Sequence, residues 1–305
     1  MIESIRLQAF SAICETGSFD KAAALLHITP SAVSQRMSAL EREVGQVLIV
    51  RARPVRATAA GRVLLGFARQ SALLYTDVLK QISPETEATT EGRVRMSVAI
   101  NADSISTWFQ PALAAIAAEG KFLMNLHVED QDHTAQLLTE GSVMAAVATT
   151  GQPVPGCKVQ PLGGMTYWTA CAPHLISGRD EVTDVDLGTL PMLRFDLKDD
   201  LQHTMLRRLG ITSEPPTHFI PSNHEFLTAA RLGLGWGVLP RAQIQADIDS
   251  GGLIRLIPTE TVVVELFWQC WRMQSPALQH LTDLVFNAAH EHLEPPRTLH
   301  RANPS

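Results

Sequence analysis

The sequence predicts an α/β fold of unlike parts: a small helical head ending in a short strand and a basic turn, a long connecting helix, and a larger body of alternating strands and helices. Three observations carry this reading. Residues 1–82 hold ten Lys/Arg against six Asp/Glu, a net of +4, while the rest of the chain holds 15 against 25, a net of −10. Within the basic part, apolar residues recur at helical spacing between strong capping residues. Beyond residue 92 the apolar period switches repeatedly between strand and helix, as layered α/β domains require. At 305 residues and 45% hydrophobic composition the chain can bury more than one core.

The head opens with Leu7, Phe10, Ile13 and Cys14 on one helical face, stopped by Gly17 in a left-handed cap. Ser18 caps a second short helix whose Phe19, Ala22, Ala23 and Leu26 face inward and which ends near His27. Thr29 as N-cap and Pro30 at the first helical position start a third helix that runs to Val44 before Gly45. Two helices joined by so short a turn make a helix-turn-helix.

In the third helix Val33, Met37, Leu40 and Val44 form the packing stripe. Ser31, Gln35, Ser38 and Arg42 repeat that spacing about 200° around the axis, a polar and uncluttered face. Such a face fits a major groove, where Gln pairs with adenine and Ser or Arg meets base edges or phosphates; it also fits an ordinary surface helix. The following segment favours the groove. A strand is predicted over Val47–Val50, then a basic turn carrying Arg51, Arg53 and Arg56, placed like a wing that reaches phosphates or a narrow minor groove. Thr58 caps a long helix in which Leu64, Phe67, Leu74 and Val78, with Ser71 between them, fall on a narrow heptad-like stripe suited to pairing with a second copy.

The stretch Gly17-Ser18-Phe19, Ala22-Ala23, Leu26 through Arg36 (LHITPSAVSQR), Leu40-Glu41, Val44-Gly45, Arg51 and Thr58 through Gly61 resembles the LysR-type transcriptional regulators. The resemblance runs the full length and is nearest to the ArgP/LysG branch, whose members sense lysine or arginine and control basic amino-acid export. In the body it rests on Asn101 to Ser104, Val128 to Asp130, Phe195-Asp196 and Ser222 to Phe226. Ser38 departs from the basic residue of many relatives, which bears on operator preference. The resemblance implies a winged helix-turn-helix at 1–58, a dimerisation helix at 59–82, a hinge at 83–92, and an effector-binding domain like a periplasmic binding protein at 93–305. That domain divides into one subdomain at about 93–164 and 268–305 and another at about 165–267, joined by crossing strands with a ligand cleft between them. The DNA-contacting residues expected are Thr29, Ser31, Ser34, Gln35, Arg36, Ser38, Arg42, Arg51, Arg53 and Arg56. Expected partners are double-stranded DNA, a basic amino-acid effector, further copies in a homodimer or tetramer, and RNA polymerase.

Ser83 to Glu91 lacks periodicity and reads as the flexible hinge. Strands are predicted at 93–100, 122–128, 143–148, 167–172, 192–195, 236–239 and 262–268, with one helix from about Asp103 to Ala118 after the first. Ligands of such sheets bind beyond the carboxyl ends of strands. Asn101, Asp103 and Ser104 lie at the first such end, where helix amides can hold a carboxylate or where Asp103 or Ser104 simply caps the helix. Glu129, Asp130 and Asp196 end other strands and can receive a cationic side chain. Thr149, Thr150, Asn223, Glu225 and Trp268 occupy similar junctions, Trp268 fitting cleft or core equally.

Other signals point away from chemistry. Gly233-x-Gly235-x-Gly237 leads from helix into strand, the reverse of a dinucleotide loop, so no cofactor is expected. His290 and His292 lack metal-ligand spacing, and no metal is expected. The cysteines Cys14, Cys157, Cys171 and Cys270 lie far apart and read as small hydrophobes. No Gly-x-Ser-x-Gly, His-Glu-x-x-His or P-loop pattern supports an enzyme. With neither a signal peptide nor an apolar run long enough to span a bilayer, a cytoplasmic location is expected. The expected function is thus a sequence-specific DNA-binding transcriptional regulator governed by lysine or arginine and acting on an exporter or related gene. The competing readings are a sequence-tolerant architectural DNA protein and a LysR-type regulator of an unrelated metabolite.

Overall fold

The computed structural model describes residues 2–82, 93–128, 131–177 and 187–296. The expected hinge at 83–92, and with it Glu129 and Asp130, lies outside these residues. Three helices form the head: α1 (Ser4–Thr16), α2 (Phe19–Leu25) and α3 (Pro30–Val44). The caps are as the residues dictate. Gly17 has φ 65° after α1 and Gly45 has φ 70° after α3, while Ser18 accepts from the Lys21 amide and Thr29 from the Ala32 amide. Leu7, Phe10, Ile13, Ala22, Val33, Met37, Leu40 and Leu48 fill the core, with Cys14 and Val44 only half-buried at its edge.

The wing is β1 (Ile49–Val50) paired antiparallel with β2 (Arg56–Ala57). It is shorter than the predicted strand because the Val47 carbonyl accepts from the Thr58 hydroxyl at 2.7 Å instead of joining a ladder. The turn between the strands is seated on the end of α1: the Val55 amide donates to the Gly17 carbonyl at 2.9 Å. A Cβ on Gly17 would lie 2.8 Å from Pro54 Cβ, so both the backbone angle and the contact require glycine there.

The long helix α4 (Ala59–Ile82) starts where the Thr58 hydroxyl accepts the Gly61 amide. It presents three sides. Leu65 and Ala68 enter the head core, and Leu73, two turns on, enters the body core. Val63, Phe67, Leu74, Val78 and Ile82 lie along the remaining side, exposed by between 41 and 72%. The predicted pairing stripe falls on that open side except for Leu64, which is half-buried against the head.

The body is built on a sheet of order β10-β6-β11-β5-β3-β4, with β9 also paired to β6. Its first part comprises β3 (Val94–Ile100), α5 (Ala102–Ser106), α6 (Gln110–Glu119), β4 (Phe122–Val128), α7 (Gln131–Thr139) and β5 (Ala145–Ala148). The single helix expected after β3 is two, because the chain breaks at Thr107 (φ −126°, ψ −107°) and Pro111, which has no amide hydrogen, sits in the first turn of the second. Then come β6 (Cys157–Cys171), β7 (Met192–Arg194), α8 (Leu201–Arg208), β8 (Thr217–Phe219), α9 (Asn223–Arg231), β9 (Gly237–Pro240), α10 (Arg241–Ser250), β10 (Ile254–Arg255), β11 (Val262–Trp271) and α11 (Pro276–His292). A small parallel sheet joins β7 and β8.

The strands β6 and β11 pair antiparallel through both ends of the body, and their register shifts at Leu266/Phe267. Near that shift Gly163 has φ 141°, and a Cβ there would lie 2.4 Å from the Glu294 carbonyl oxygen. The glycines after α9 serve a turn: Gly233 has φ 75°, and a Cβ on Gly235 would lie 2.7 Å from the Pro191 carbonyl oxygen. Cys157, Cys171 and Cys270 are buried, and burial pushes the Cys171 thiol up to about 12. Among the described residues no helix is long and apolar enough to cross a membrane.

Candidate functional site

The head brings its candidate residues onto one open surface. Burial of Val33, Met37 and Leu40 turns Ser31, Gln35, Ser38 and Arg42 outward, with Thr29 exposed at the helix start and Ser34 and Arg36 half-buried on the flanks. Arg42 is steered by its own helix, Nε donating to the Ser38 carbonyl at 3.3 Å. Thr29 Oγ1 and Ser31 Oγ lie 2.9 Å apart. Arg51, Arg53 and Arg56 are exposed on the wing, and Arg51 stands over the Phe19 ring at 5.8 Å. A polar helix face beside a basic hairpin is the arrangement that base-edge and phosphate contacts to a duplex require.

The body holds a cleft of about 550 Å³. On one side the parallel strands β3, β4 and β5 deliver Asn101, Asp103, Val128 and Thr149 at their carboxyl ends, joined by Thr134 of α7. The chain leaves β3 to one neighbour for β4 and returns to the other for β5, so β3 ends at a topological switch point, where open sheets bind ligands. The opposite side is formed by Phe195, Asp196, Lys198 and Asp199 after β7, by Asn223 and Phe226 of α9, and by Pro240 and Gln243 where β9 becomes α10.

Asp103 is held from two directions in the cleft. Its Oδ2 accepts from the Tyr167 hydroxyl at 2.8 Å and its Oδ1 from Asn223 Nδ2 at 3.0 Å. Burial pushes its carboxyl above 3.8; the Tyr167 hydrogen bond opposes the rise and the Asp199 carboxylate adds to it. Asp199 is fixed by the Phe195 and Leu201 amides at 2.9 and 3.2 Å. Asp196 Oδ1 accepts the Lys198 and Asp199 amides at 2.7 and 3.0 Å, a local turn that orients the loop.

Asn101, Asp103, Thr149, Asp196 and Asn223 therefore line one cleft. Several expected residues do not. Trp268 is wholly buried in the core, its indole donating to Thr282 Oγ1 at 3.1 Å. Glu225 is exposed and takes the Ser222 hydroxyl within the first turn of α9, away from the cleft lining. Thr150 is exposed, its carbonyl tied to Gln269 Nε2 at 3.2 Å. Ser104 is wholly buried beneath the wall, and its amide is taken by Asn101 Oδ1 at 2.7 Å. The cap is thus Asn101 rather than Asp103 or Ser104. Sequence reasoning missed Asp199, Lys198, Gln243 and Tyr167; Asp199, three residues beyond Asp196 in the same loop, had the clearest signal.

Residues 5–62 match the family model of bacterial regulatory helix-turn-helix proteins of the lysR family, and residues 88–289 match the LysR substrate-binding domain. The HTH-type transcriptional regulator LysG of Mycobacterium tuberculosis is 41% identical over 293 residues, covering 94% of each chain. The crystal structure of ArgP from the same organism superposes with a TM-score of 0.81 at 40% identity, over 96% of this chain and 98% of that one. The full-length LysG of Corynebacterium glutamicum with bound effector Arg superposes with a TM-score of 0.75 at 38% identity, over 96% and 100%.

Proposed function

This chain belongs to the LysR family of bacterial helix-turn-helix regulators, and from that premise we propose that the effector of this DNA-binding transcriptional regulator is a basic amino acid, arginine or lysine, held in the cleft of the body. The chain is a regulator and not an enzyme, as its named relatives are. One observation carries the effector reading: among the described residues, Asp103, Asp196 and Asp199 line a single cleft against one lysine, Lys198. That excess of carboxylate suits a guanidinium or ammonium group, which gains most when its partner is partly desolvated. The LysG of Corynebacterium glutamicum, described with bound Arg, is consistent with this choice.

In this reading α3 and the wing contact DNA through the residues described above, and the open side of α4 pairs with a second copy. Paired heads would read two half-sites, and the regulated gene would be an amino-acid exporter or a related metabolic gene, with RNA polymerase as the further partner. Calorimetric titration of the full chain with arginine, lysine, histidine and a neutral amino acid tests the effector. Saturable binding of arginine or lysine, weakened by Asp103→Asn, is expected. Binding of none of them by folded, DNA-competent protein would remove the basic amino-acid assignment.

A further inference from the structure

The short helix α7 joins the cleft to the linker helix. Thr134, on α7, lines the cleft wall, and the turn that ends α7 lies against α4. The approach is backbone on backbone: a Cβ on Gly141 would fall 2.1 Å from Gly66 Cα. Arg69 Nη1 donates to the Gly141 carbonyl at 2.6 Å, and Arg62 Nε pairs with Glu140 Oε1 at 2.8 Å. Glu140 is held in turn by Gln136 Nε2 at 2.7 Å. The Gly141 and Ser142 amides bond the Leu138 and Leu137 carbonyls at 3.1 and 2.8 Å, so this turn is the rigid end of α7.

On α4 the contact residues 62, 66 and 69 follow i, i+4, i+7 spacing, one face of the helix. The same two turns carry Leu65 and Ala68 into the head core. Paired glycines leave no side chain whose rotamer could absorb a displacement, so movement of α7 must move α4. We infer that Glu140 and Gly141, with Arg62, Gly66 and Arg69, are positioning residues that carry occupancy of the cleft to the DNA-binding head. This rests on the cleft being the effector site. An effector that changes the position of α7 thereby favours one setting of α4, the differential interaction that any such control requires.

The test uses the full chain, arginine and lysine as probes, and a duplex recovered from a random pool by the protein itself. Affinity for that duplex is measured with and without saturating amino acid, and the ratio is the coupling. In the wild type a ratio in the usual range of about 5–150-fold is expected. Gly141→Ala and Arg62→Glu should bring it towards one while arginine still binds, and Arg62→Glu with Glu140→Arg should recover at least half of it. A purely structural role would weaken DNA binding equally with and without effector. If Gly141→Ala fails to fold, the charge-reversed single and double variants decide. An unchanged ratio in the variants overturns the inference. If the wild type responds to neither amino acid, the basic amino-acid reading falls separately, and hydrogen exchange of the unliganded chain decides. Altered protection over 62–69 in Thr134→Val then supports the link, and unaltered protection overturns it.

Discussion

Asn223, at the start of α9, reaches across the cleft to Asp103 on α5, its amide donating to Oδ1 at 3.0 Å. The same amide donates to Ser106 Oγ at 3.2 Å, while Gln243 Nε2 bridges Ser106 Oγ and Asn223 Oδ1, each at 2.9 Å. The two walls are latched by a few hydrogen bonds, the neutral ones worth about 1 kcal/mol net of water and the one to the Asp103 carboxylate about 1.5–3 kcal/mol. A ligand can exchange with such a latch, and Asp103 is where it would do so.

Replacing Asp103 with Asn keeps the shape and removes the charge. Hydrogen bonds to charged groups contribute roughly 1.5–3 kcal/mol, so arginine affinity should fall about ten- to hundredfold. Calorimetry measures this, and DNA affinity without effector should stay as in the wild type.

The carboxyl of Asp103 is raised above 3.8 in the folded chain, chiefly by burial. The folded protein therefore keeps a proton that the unfolded chain has released, and this group's contribution to stability falls as pH rises from 3.8 through the raised value. Arginine, cationic throughout, needs the ionised form, so its affinity should rise over the same window and level off above it. Titrations across pH should show that slope in the wild type and a flatter profile in Asp103→Asn.

Two substitutions in the head should separate base reading from phosphate contact. Gln35→Ala is expected to cost about 1–3 kcal/mol on the preferred duplex and to relax discrimination at one position. Arg53→Ala should weaken all duplexes alike and reduce the salt slope by about one. Anisotropy titrations at several salt concentrations on preferred and scrambled duplexes distinguish the patterns.

Phe67 and Val78 are exposed by 52 and 49% on the open side of α4. If that side pairs with a second copy, Phe67→Glu with Val78→Glu should shift sedimentation towards the monomer while leaving the head folded. Undiminished self-association would place the interface elsewhere.

Trp268 offers a control. Trp268→Phe removes the indole bond to Thr282 and should lower stability by about 1 kcal/mol. Arginine affinity should not change, because the ring lies in the core and not on the cleft.

The head was almost wholly readable because each of its signals is local: Thr29-Pro30, Ser18 and Gly17 state their roles within a few residues. The body was readable in order but not in extent. Pro161, Gly163 and Gly164 argue against a strand, yet β6 runs through them because β11 pairs along its length and shifts register at Leu266/Phe267. The cleft was half legible. Strand ends located Asn101, Asp103, Thr149 and Asp196, but periodicity cannot distinguish a junction residue facing the cleft from one facing the core, as Trp268 demonstrates. Tyr167 and Gln243 reach Asp103 and Asn223 only through the tertiary fold.

Helix α4 touches the head through Leu65 and Ala68 and the body through Arg62, Gly66 and Arg69, and it shows a bare apolar side at Val63, Phe67 and Leu74. If a second copy covers that side, the rod is loaded all round and has no direction in which it can roll freely. Its tolerance to mutation should therefore be banded: walking along it one residue at a time, damage would alternate among a loosened head, a deafened response and a lost companion, repeating with each turn.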